Sequence, residues 1–377
     1  MNCEKMSNYH FKNTSVSMAK VGYWWSEKKT QRFNQSELEL KLSAIGFNLV
    51  RLDLDTDIAK QGPFVAIIHK LSDILIKADS GDEKASGIIN AFQNYVNTNP
   101  EVVIIDPLPN LRILLSRYEQ YKIIKDCPLA FKEGFSTPTF VELTSKDCEI
   151  NRQKLIANDV KFPFVCKPLE AHGGSFAHQM SIIFNEKGLK DINPPCVAQT
   201  FINHNAKLFK IFVIHEKYFV VDRPSLKNFK AGDFPTLHFD SPEVSKANSV
   251  SELTELDKDD GGGPTPIVKD EVVSKLVNIL RNILGLNLFG IDLIIENQTD
   301  RYLIIDMNIF PGYDGVVNHI DLIAEMVSSM VRAKKQASPV KSDNLTESDS
   351  GIDTSDSCDE NKKVTRLNFQ RKKSSLK

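Results

Sequence analysis

The sequence predicts an α/β protein in which a small parallel-sheet domain precedes a larger region of mixed α+β structure. In the first 115 residues, short apolar runs alternate with segments of helical spacing, which is typical of a parallel sheet wrapped by helices. From Phe164 onwards, apolar runs follow one another with only loops between them, which favours antiparallel strands. Further along, two apolar runs within Leu288–Gly315 enclose a short polar segment and carry Asp and Asn residues.

Composition excludes several classes of protein. The chain has 377 residues, enough for two or three domains, and a net charge of −2, so no global basic field indicates nucleic acid. Its six cysteines form no CxxC pair, which fits a reducing cytosol. No apolar run approaches the length of a membrane span, and Met1–Lys20 lacks the apolar core of a signal peptide. We therefore expect a cytoplasmic monomer without membrane insertion.

The N-terminal domain is predicted to contain four parallel strands with helices between them. The expected strands are Val21–Trp25, Asn48–Leu52, Phe64–Ile68 and Val102–Ile105, and the expected helices are Gln35–Ile45, Leu71–Ala78 and Lys84–Asn97.

Lysines follow two of these strands. Lys28 and Lys29 come after the first strand, and Lys70 ends the third. Because the carboxyl ends of parallel strands meet at one rim, these lysines form either a polyanion site or a set of solvated charges.

A helix is expected over Pro107–Lys125, and its Arg112 and Arg117 are expected on a solvated face. A strand ending at Lys167 leads into a loop with Gly173 and Gly174, either a phosphate-covering flap or a mobile hairpin.

Two lysines lie within apolar strands of this region. Lys167 and Lys210 each need an anion if buried, and otherwise extend from an edge into water.

Four ranges describe the expected organisation. They are a disordered lead-in at 1–19, the N-terminal domain at 20–115, the second region at 116–334 and a disordered tail at 335–377. Within the second region, Asp233–Pro266 reads as a mobile loop, Asp270–Leu284 as a helix, and a last helix ends near Arg332. A short Ser- and Asp-rich motif in the tail, Asp349–Ser355, is a candidate for phosphorylation.

The paired apolar runs near the end indicate a β-hairpin with a metal site. If the loop centres on Thr299, Asp292 faces Asp306, and Asn308 lies on the same face two residues beyond. Carboxylates about 5 Å apart on a buried sheet repel by several kcal/mol, which a cation or a shared proton relieves. Oxygen ligands alone suit Mg²⁺ held together with substrate phosphates. The alternative is that both aspartates lie in water at frayed strand ends.

Motifs along the chain resemble those of one enzyme family. SEKK, IIHKL, DPLP, FPFVCK, AHGGSFAH, QTFINHNAKLFKIFV, RPSLKNF, SELTELD, LFGIDLII and IDMNIFPGYDG occur in this order between Val21 and Arg332. In these motifs the chain resembles the inositol 1,3,4-trisphosphate 5/6-kinases, also called inositol-tetrakisphosphate 1-kinases, of the ATP-grasp group. The resemblance implies an N-terminal α/β domain and two ATP-grasp lobes that enclose nucleotide.

The resemblance also implies a reaction and a set of site residues. ATP would donate its γ-phosphoryl group to an inositol polyphosphate hydroxyl, with two Mg²⁺ ions. The implied metal ligands are Asp292, Asp306 and Asn308. The implied inositol phosphate contacts are Lys29, Lys70, His178, Lys210, Asn308 and Gly312. The implied ATP contacts are Arg117, Lys167, Gln199, Thr200, Phe201, Ile202, Lys210, Ser225, Ser241 and Ser245. Lys210, Asp306 and Asn308 are the residues implied to take part in catalysis.

Two rival functions are considered. An ATP-grasp carboxylate–amine ligase would not need the two rim lysines of the N-terminal domain. A nucleotide-binding or inositol phosphate-binding regulator without catalysis would not need the intact trio of Asp292, Asp306 and Asn308.

Overall fold

The computed structural model describes residues 18–172, 176–258, 260, 266–297 and 299–337. The strands are β1 Ala19–Trp24, β2 Phe47–Arg51, β3 Phe64–His69, β4 Val103–Ile105, β5 Phe135–Ser136, β6 Phe140–Leu143, β7 Phe164–Pro168, β8 Gln179–Ile183, β9 Cys196–Thr200, β10 Lys207–Ile214, β11 Lys217–Pro224, β12 Leu237–Asp240, β13 Leu288–Ile295 and β14 Tyr302–Ile309. The α-helices are α1 Glu27–Thr30, α2 Gln35–Ala44, α3 Ile58–Gln61, α4 Ser72–Asp79, α5 Glu83–Thr98, α6 Leu108–Leu111, α7 Arg117–Lys125, α8 Pro128–Lys132, α9 Cys148–Ala157, α10 Ser241–Ser245, α11 Asp270–Leu284 and α12 His319–Ala337.

The N-terminal strands form a parallel sheet in the order β2-β1-β3-β4. This confirms the predicted alternation of strands and helices. Apolar side chains such as Val21 and Ile67 are fully buried between the sheet and its helices. The carboxyl ends of β1 and β3 lie side by side, because Trp24 pairs with His69 in the ladder. This rim faces the second half of the protein.

The remaining described strands form two further sheets. One has the order β12-β8-β7-β9-β6, and its neighbouring strands are antiparallel. The other has the order β11-β10-β13-β14-β5, with only the short β5 parallel to its neighbour. The predicted change from alternating elements to successive strands is therefore correct. Helix α11, which follows the predicted bounds, buries Val273, Leu276 and Leu280 and ends at Gly285 in the left-handed conformation (φ 60°).

The helix expected over Pro107–Lys125 is interrupted. It consists of α6, a 3-10 turn at Arg112–Leu114 and α7. The break lies at Ser116, whose backbone is extended (φ −108°, ψ 124°) and whose hydroxyl accepts from the N–H of Glu119. Ser116 and Glu119 have the S-x-x-E spacing of a capping box, the signal that indicates a new helix start here.

Two other expectations need correction. The segment Asp233–Pro266 contains β12, α10 and a 3-10 turn, because its apolar residues Phe239 and Val244 are buried against Val165 and Ile182. The last helix continues to Ala337, beyond the expected end near Arg332. The paired glycines Gly173 and Gly174, the lead-in 1–17, and the tail from 338 with its phosphorylation motif lie outside the described residues.

A buried carboxylate joins the N-terminal domain to the sheet that contains the hairpin. Asp106, directly after β4, is 3% exposed. Its Oδ1 accepts from the backbone and side-chain amides of Asn287 at 2.9 and 2.8 Å, and its Oδ2 accepts from the N–H of Leu288 at 2.9 Å. Burial raises the pKa of Asp106, and these donors lower it. The start of β13 is thereby held against the N-terminal domain.

Across the described ranges, no helix combines the length and apolar character that crossing a membrane requires.

Candidate active site

The hairpin β13–β14 brings the two predicted aspartates together. Asp292 pairs with Asp306, and Gly290 pairs with Asn308, as the position of the loop predicts. Beyond Asp292 the register shifts, because Leu293 pairs with Ile304. Ile305 is therefore an extra residue in β14, and this β-bulge precedes Asp306 directly. The sequence did not indicate the bulge.

Lys210 is the partner of Asp292. The two residues face each other across β10 and β13, and the Lys210 Nζ donates to both Asp292 carboxylate oxygens at 3.0 and 2.9 Å. The side chain of Asp292 is 13% exposed, so the aspartate is not at a frayed strand end. Burial raises the pKa of Asp292, the charge of Lys210 lowers it, and the charge of Asp306 raises it again. An anion for Lys210 was expected, and Asp292 supplies it.

Asp306 has an oxygen without a protein partner. Among the described residues, its Oδ1 is buried and accepts no hydrogen bond. The nearest cation is Arg117, whose Nε lies 3.9 Å from this oxygen and donates to no acceptor there either. A buried carboxylate oxygen that no protein group satisfies is suited to an additional cation.

Arg117 is buried. The prediction that it lies on a solvated face of its helix is wrong. Its side chain is 2% exposed. Its guanidinium donates to the carbonyls of Pro168 (2.8 Å), Glu170 (2.9 Å) and Ala177 (3.1 Å). Arg117 thus holds the described ends of the glycine loop beside the hairpin.

The donor set of the hairpin fits Mg²⁺. Asp292, Asp306 and Asn308 provide carboxylate and amide oxygens, the ligands that Mg²⁺ prefers together with substrate phosphates. In the described ranges, no group of three or more His, Cys, Asp and Glu side chains forms a metal cluster. An ion at the hairpin would therefore rely on Asn308 and on substrate oxygens besides the two carboxylates.

Lys167 is buried on β7, and its hydrogen-bond acceptors among the described residues are all uncharged. Its Nζ donates to the Tyr121 hydroxyl at 3.0 Å, to Gln199 Oε1 at 2.8 Å and to the carbonyl of Ile305 at 2.8 Å. Burial lowers the pKa of Lys167 to about 8, while the charge of Asp306 raises it. The alternative of a lysine that extends from a sheet edge is excluded, because β7 lies between β8 and β9. The expected anion is not among the hydrogen-bond acceptors of Lys167 in the described residues.

The rim lysines of the N-terminal domain meet at the segment after β14. The Nζ of Lys29 donates to the carbonyls of Phe310 (3.3 Å) and Pro311 (2.7 Å), and Lys70 donates to Phe310 (3.2 Å). The Nζ of Lys29 also lies over the rings of Phe33 and Phe310, at 4.7 and 4.0 Å from their centroids. Burial lowers the pKa of Lys29 to about 6, and the charge of Lys70 lowers it further.

Further basic groups surround this rim. Burial lowers the pKa of Lys70 to about 8, with contributions from the charges of Lys28 and Arg32. Burial also lowers the pKa of His178, and the charges of Arg117 and Lys28 act in the same direction. The charge of Lys28 acts on both Lys70 and His178, so basic groups of the N-terminal domain and of the β7–β8 region lie near one another, as a polyanion site requires.

The segment after β14 has an unusual backbone. Phe310 and Tyr313 adopt positive φ angles of 36° and 59°, which non-glycine residues rarely do. Gly312 lies between them and is half-buried. Arg223 donates to the carbonyl of Asp314 at 2.5 Å and holds the far side of the segment. Strained backbone of this kind is concentrated at functional sites.

Four of the residues implied to contact ATP lie in the segment Gln199–Ile202, at the end of β9 and directly after it. Gln199 is buried beside Lys167 and donates to Thr137 at 3.1 Å. Ile202 packs against the hydrophobic cluster that contains Leu208.

Phe201 packs edge-on against Phe229, with ring centroids 5.4 Å apart. The hydroxyl of Thr200 lies 2.6 Å from that of Thr139 at an exposed edge, so it is engaged away from Lys167.

The three implied serines are also engaged within the protein. Ser225 is buried, and its hydroxyl lies 2.8 Å from Nε2 of His204. Ser245 donates to the carbonyl of Ser241 at 2.9 Å, and the Ser241 hydroxyl lies 3.4 Å from Nδ1 of His178.

Gln120 and Tyr121 are the site residues that the sequence did not indicate. Both are fully buried on α7 and contact β14 on either side of Asp306. Their spacing from Arg117, three and four residues along one helix, is the signal that places all three on one face.

Two sheets that face each other, with a carboxylate hairpin on one and a buried lysine on the other, define an ATP-grasp protein. The fold is similar to that of the ATP-grasp ligase PsnB (TM-score 0.51, 12% identity, 85% of this chain and 100% of that chain). It is also similar to D-alanine–D-alanine ligase from Bacillus anthracis (TM-score 0.52, 14% identity, 86% of this chain and 100% of that chain).

The family is identified by sequence. Residues 20–111 match the inositol 1,3,4-trisphosphate 5/6-kinase pre-ATP-grasp domain, and residues 130–329 match the ATP-grasp domain of the same kinase. The chain is 42% identical over 322 residues to inositol-tetrakisphosphate 1-kinase of Xenopus laevis, covering 83% of this chain and 81% of the relative. It is 41% identical over 324 residues to the enzyme of the same name from Danio rerio, with 85% and 81% covered. The chain belongs to the inositol 1,3,4-trisphosphate 5/6-kinase family.

Proposed function

We propose that the protein is an ATP-dependent inositol polyphosphate kinase. It transfers the γ-phosphoryl group of ATP to a hydroxyl of inositol 3,4,5,6-tetrakisphosphate at position 1 and of inositol 1,3,4-trisphosphate at position 5 or 6. The observation that carries the proposal is the meeting of Lys29 and Lys70 at the segment that follows Asp306 and Asn308. A phosphate-binding rim beside a carboxylate hairpin is what a kinase for a phosphorylated small molecule needs.

The acceptor substrate is assigned to the space that the rim lysines face. Each substrate phosphate carries roughly −1.5 to −2 charges, so several cations must converge on it. Lys70 provides one, Lys29 provides another once it takes up a proton on binding, and His178, Asn308 and Gly312 provide polar contacts. This local supply explains how a chain of net charge −2 binds a polyanion.

The nucleotide is assigned to the cleft between the sheets of β7 and β14. The ammonium group of Lys167 lies at the floor of this cleft. Because its hydrogen-bond acceptors are uncharged, its positive charge is available to attract phosphate oxygens. Gln199–Ile202 and the carbon chain of Lys210 would line the base and ribose. The remaining implied contacts are three serines, Ser225, Ser241 and Ser245. Their hydroxyls already contact protein atoms, so they would contribute indirectly, by holding neighbouring protein groups in place.

Asp292, Asp306 and Asn308 are the residues that would hold magnesium. When bound, two Mg²⁺ ions would neutralise the phosphate charge that develops during transfer. The charge of Lys210 favours the ionised form of the buried Asp292, and Arg117 keeps the base of the glycine loop close to Asp306. Positioning and charge stabilisation supply most of the catalysis in phosphoryl transfer.

Two rival functions make different demands on the site. A carboxylate–amine ligase has no use for the paired lysines at the Phe310 and Pro311 carbonyls. A regulator without catalysis has no use for a carboxylate oxygen on Asp306 that no described residue satisfies. Both observations favour the kinase.

The proposal is tested by incubating the purified protein with Mg-ATP and inositol 3,4,5,6-tetrakisphosphate and separating the products by anion-exchange chromatography. Formation of an inositol pentakisphosphate with equimolar ADP is expected. Bound ATP without pentakisphosphate would instead support the regulator. Release of ADP and inorganic phosphate only with a carboxylate and an amine would support the ligase.

The organisation of the chain is part of the proposal. We assign residues 20–115 to inositol phosphate binding and 116–334 to the two ATP-grasp lobes, and we expect a cytoplasmic monomer. Light scattering coupled to gel filtration tests the oligomeric state, and a mass near twice 42.5 kDa would contradict it.

A further inference from the structure

Tyr121 is a fully buried tyrosine whose hydroxyl lies between the two sheets of the ATP-grasp region. The hydroxyl accepts from the Nζ of Lys167 at 3.0 Å and donates to the carbonyl of Ile305 at 2.7 Å. Burial raises the pKa of Tyr121 well above its usual value, so the hydroxyl keeps its proton and remains a donor. One side chain therefore bonds to β7 in one sheet and to β14 in the other.

The carbonyl that Tyr121 contacts belongs to the bulge. Ile305 is the extra residue of β14, since Leu293 pairs with Ile304 and Asp292 pairs with Asp306. A bulged residue is left without its ladder partner. The Ile305 carbonyl instead accepts from Tyr121 and from Lys167, and these two donors match its two lone pairs. The bulge in turn sets the direction in which Asp306 leaves the strand.

The neighbouring residue of α7 supports β14 on the other side of Asp306. Gln120 accepts from the N–H of Met307 at 3.0 Å and donates to the carbonyls of Met307 (3.1 Å) and Leu114 (2.8 Å). Strand β5 pairs only with Tyr302 and Leu303 at the far end of β14. Helix α7 therefore replaces a neighbouring strand along the part of β14 that carries Asp306.

Tyr121 also limits where the Lys167 ammonium can lie. The three donors of an ammonium group are matched by three acceptors, the Tyr121 hydroxyl, Gln199 Oε1 and the Ile305 carbonyl. Removal of the hydroxyl would leave one donor without a partner and one bulge lone pair without a donor. Both losses occur in the cleft between the sheets.

We infer that Tyr121 is a positioning residue, whose hydroxyl holds the Lys167 ammonium and the Ile305 bulge in register across the nucleotide cleft. The inference rests on the proposed function, because it assigns nucleotide to this cleft. Within the described residues, the Tyr121 hydroxyl bonds to Ile305 and Lys167 and to none of the proposed metal ligands. Tyr121 acts by fixing the position of Lys167 on one side and that of Asp306 on the other.

The test is Tyr121→Phe, which removes one oxygen and keeps the ring that packs against Phe140 at 5.3 Å between centroids. ATP affinity measured by calorimetry in EDTA should fall, and kcat should fall with it. Removing groups that orient ligands of a site commonly costs about 10- to 100-fold, and we expect losses of this size in kcat/KM for ATP. The KM for the inositol phosphate should stay within about twofold of wild type, a change worth only about 0.4 kcal/mol.

Tyr302→Phe is the matched control. Tyr302 lies on β14, the strand that Tyr121 contacts, is 7% exposed, and its hydroxyl accepts from the N–H of Lys269 at 3.0 Å, at the loop end of the hairpin. This variant should lose stability to a similar extent in thermal unfolding without a change in ATP affinity or kcat.

Two results would overturn the inference. One is a Tyr121→Phe protein with wild-type ATP affinity in EDTA and wild-type kcat. The other is an equal loss of both quantities in the two variants, which would reduce Tyr121 to a general stabilising contact. If the wild type binds ATP but phosphorylates no inositol phosphate, the proposed function fails, whereas the calorimetric comparison still decides the role of Tyr121.

Discussion

The ammonium of Lys210 donates to both carboxylate oxygens of Asp292, at 3.0 and 2.9 Å, across neighbouring strands. The lysine lies on β10 and the aspartate on the hairpin, 82 residues further along the chain. Because the Asp306 carboxylate opposes Asp292 in the next strand, Lys210 offsets part of the repulsion between two buried acids. A protein cation therefore stabilises the paired carboxylates of the proposed metal site.

Replacing Lys210 with Met should destabilise the protein and make it dependent on added cation. Breaking a buried ion pair leaves an uncompensated charge, and we expect the free energy of unfolding to fall by about 3 kcal/mol. Added Mg²⁺ should raise the unfolding midpoint of the variant more than that of wild type, because a cation can replace the ammonium.

Lys217→Met is its control. Lys217 forms an ion pair with Glu325 in which the two side chains are 58% and 66% exposed, so its loss should cost less than about 1 kcal/mol. Equal losses in the two variants would show that Lys210 and Asp292 interact no more strongly than a surface pair.

Asp306→Asn should abolish turnover and leave the fold intact. The change removes one charge at an oxygen that no described protein group satisfies, so stability should not fall. We expect kcat to drop by at least about 100-fold, the upper range for loss of a group that orients a metal site. Steady-state kinetics and thermal unfolding check both parts. Retained activity would contradict the assignment of Asp306 to the metal.

Lys70→Ala should weaken inositol phosphate binding more than ATP binding. Lys70 lies at the rim of the N-terminal sheet, and hydrogen bonds to charged groups contribute about 1.5–3 kcal/mol, or roughly 10-fold or more in affinity. Calorimetric titration with each substrate measures the difference. Lys60→Ala, an exposed lysine of the same domain, is the control. Equal losses for both substrates would contradict the division between the domains.

Lys29 should take up a proton when the inositol phosphate binds. Its pKa is lowered to about 6 by burial, so in the free protein the side chain is neutral at pH 7.5. Substrate phosphates favour the charged form. Titrations at pH 7.5 in buffers of different ionisation enthalpy should therefore show net proton uptake in wild type and less in Lys29→Met. Identical proton uptake in both proteins would exclude Lys29 as its source.

The same lowered pKa affects stability in a defined pH window. Between pH 6 and 10.5 the unfolded chain protonates Lys29 and the folded chain does not, so the unfolded state binds more protons. The Lys29 contribution to stability therefore rises with pH across this window and declines as pH falls towards 6. The free energy of unfolding of wild type minus that of Lys29→Met, measured with urea at several pH values, should increase with pH. A difference independent of pH would contradict the lowered pKa.

Asp106→Ala should loosen the attachment of the N-terminal domain. The change leaves the buried N–H groups of Asn287 and Leu288 without their acceptor, and each unsatisfied group costs about 1–3 kcal/mol. We expect a loss of about 3 kcal/mol in the free energy of unfolding. Asp57→Ala removes an exposed cap of α3 and should cost only about 1 kcal/mol. A smaller loss for Asp106 than for Asp57 would show that the buried contact does not join the domains.

Local pattern was sufficient for much of the fold. The parallel sheet followed from alternating apolar runs and helical segments, because βαβ connections leave few other arrangements. The pairing of Asp292 with Asp306 followed from the position of one loop, because a hairpin relates its residues by sequence distance alone. The rim lysines could be placed for a similar reason, since strand ends in a parallel sheet share an edge.

The contacts that align the site could not be predicted from local sequence pattern. Lys29 donates to a carbonyl 281 residues away, Lys167 to one 138 residues away, and Tyr121 to the same carbonyl across 184 residues. None of these pairs lies within one hairpin or one helix, so no periodicity relates its members. They arise when α1, β7 and α7 pack against β14 and the segment after it, and burial then requires each polar atom to find a partner. The chain alone thus indicates which charges serve the site, whereas long-range packing sets the partner and pKa of each, because both depend on what surrounds a buried group.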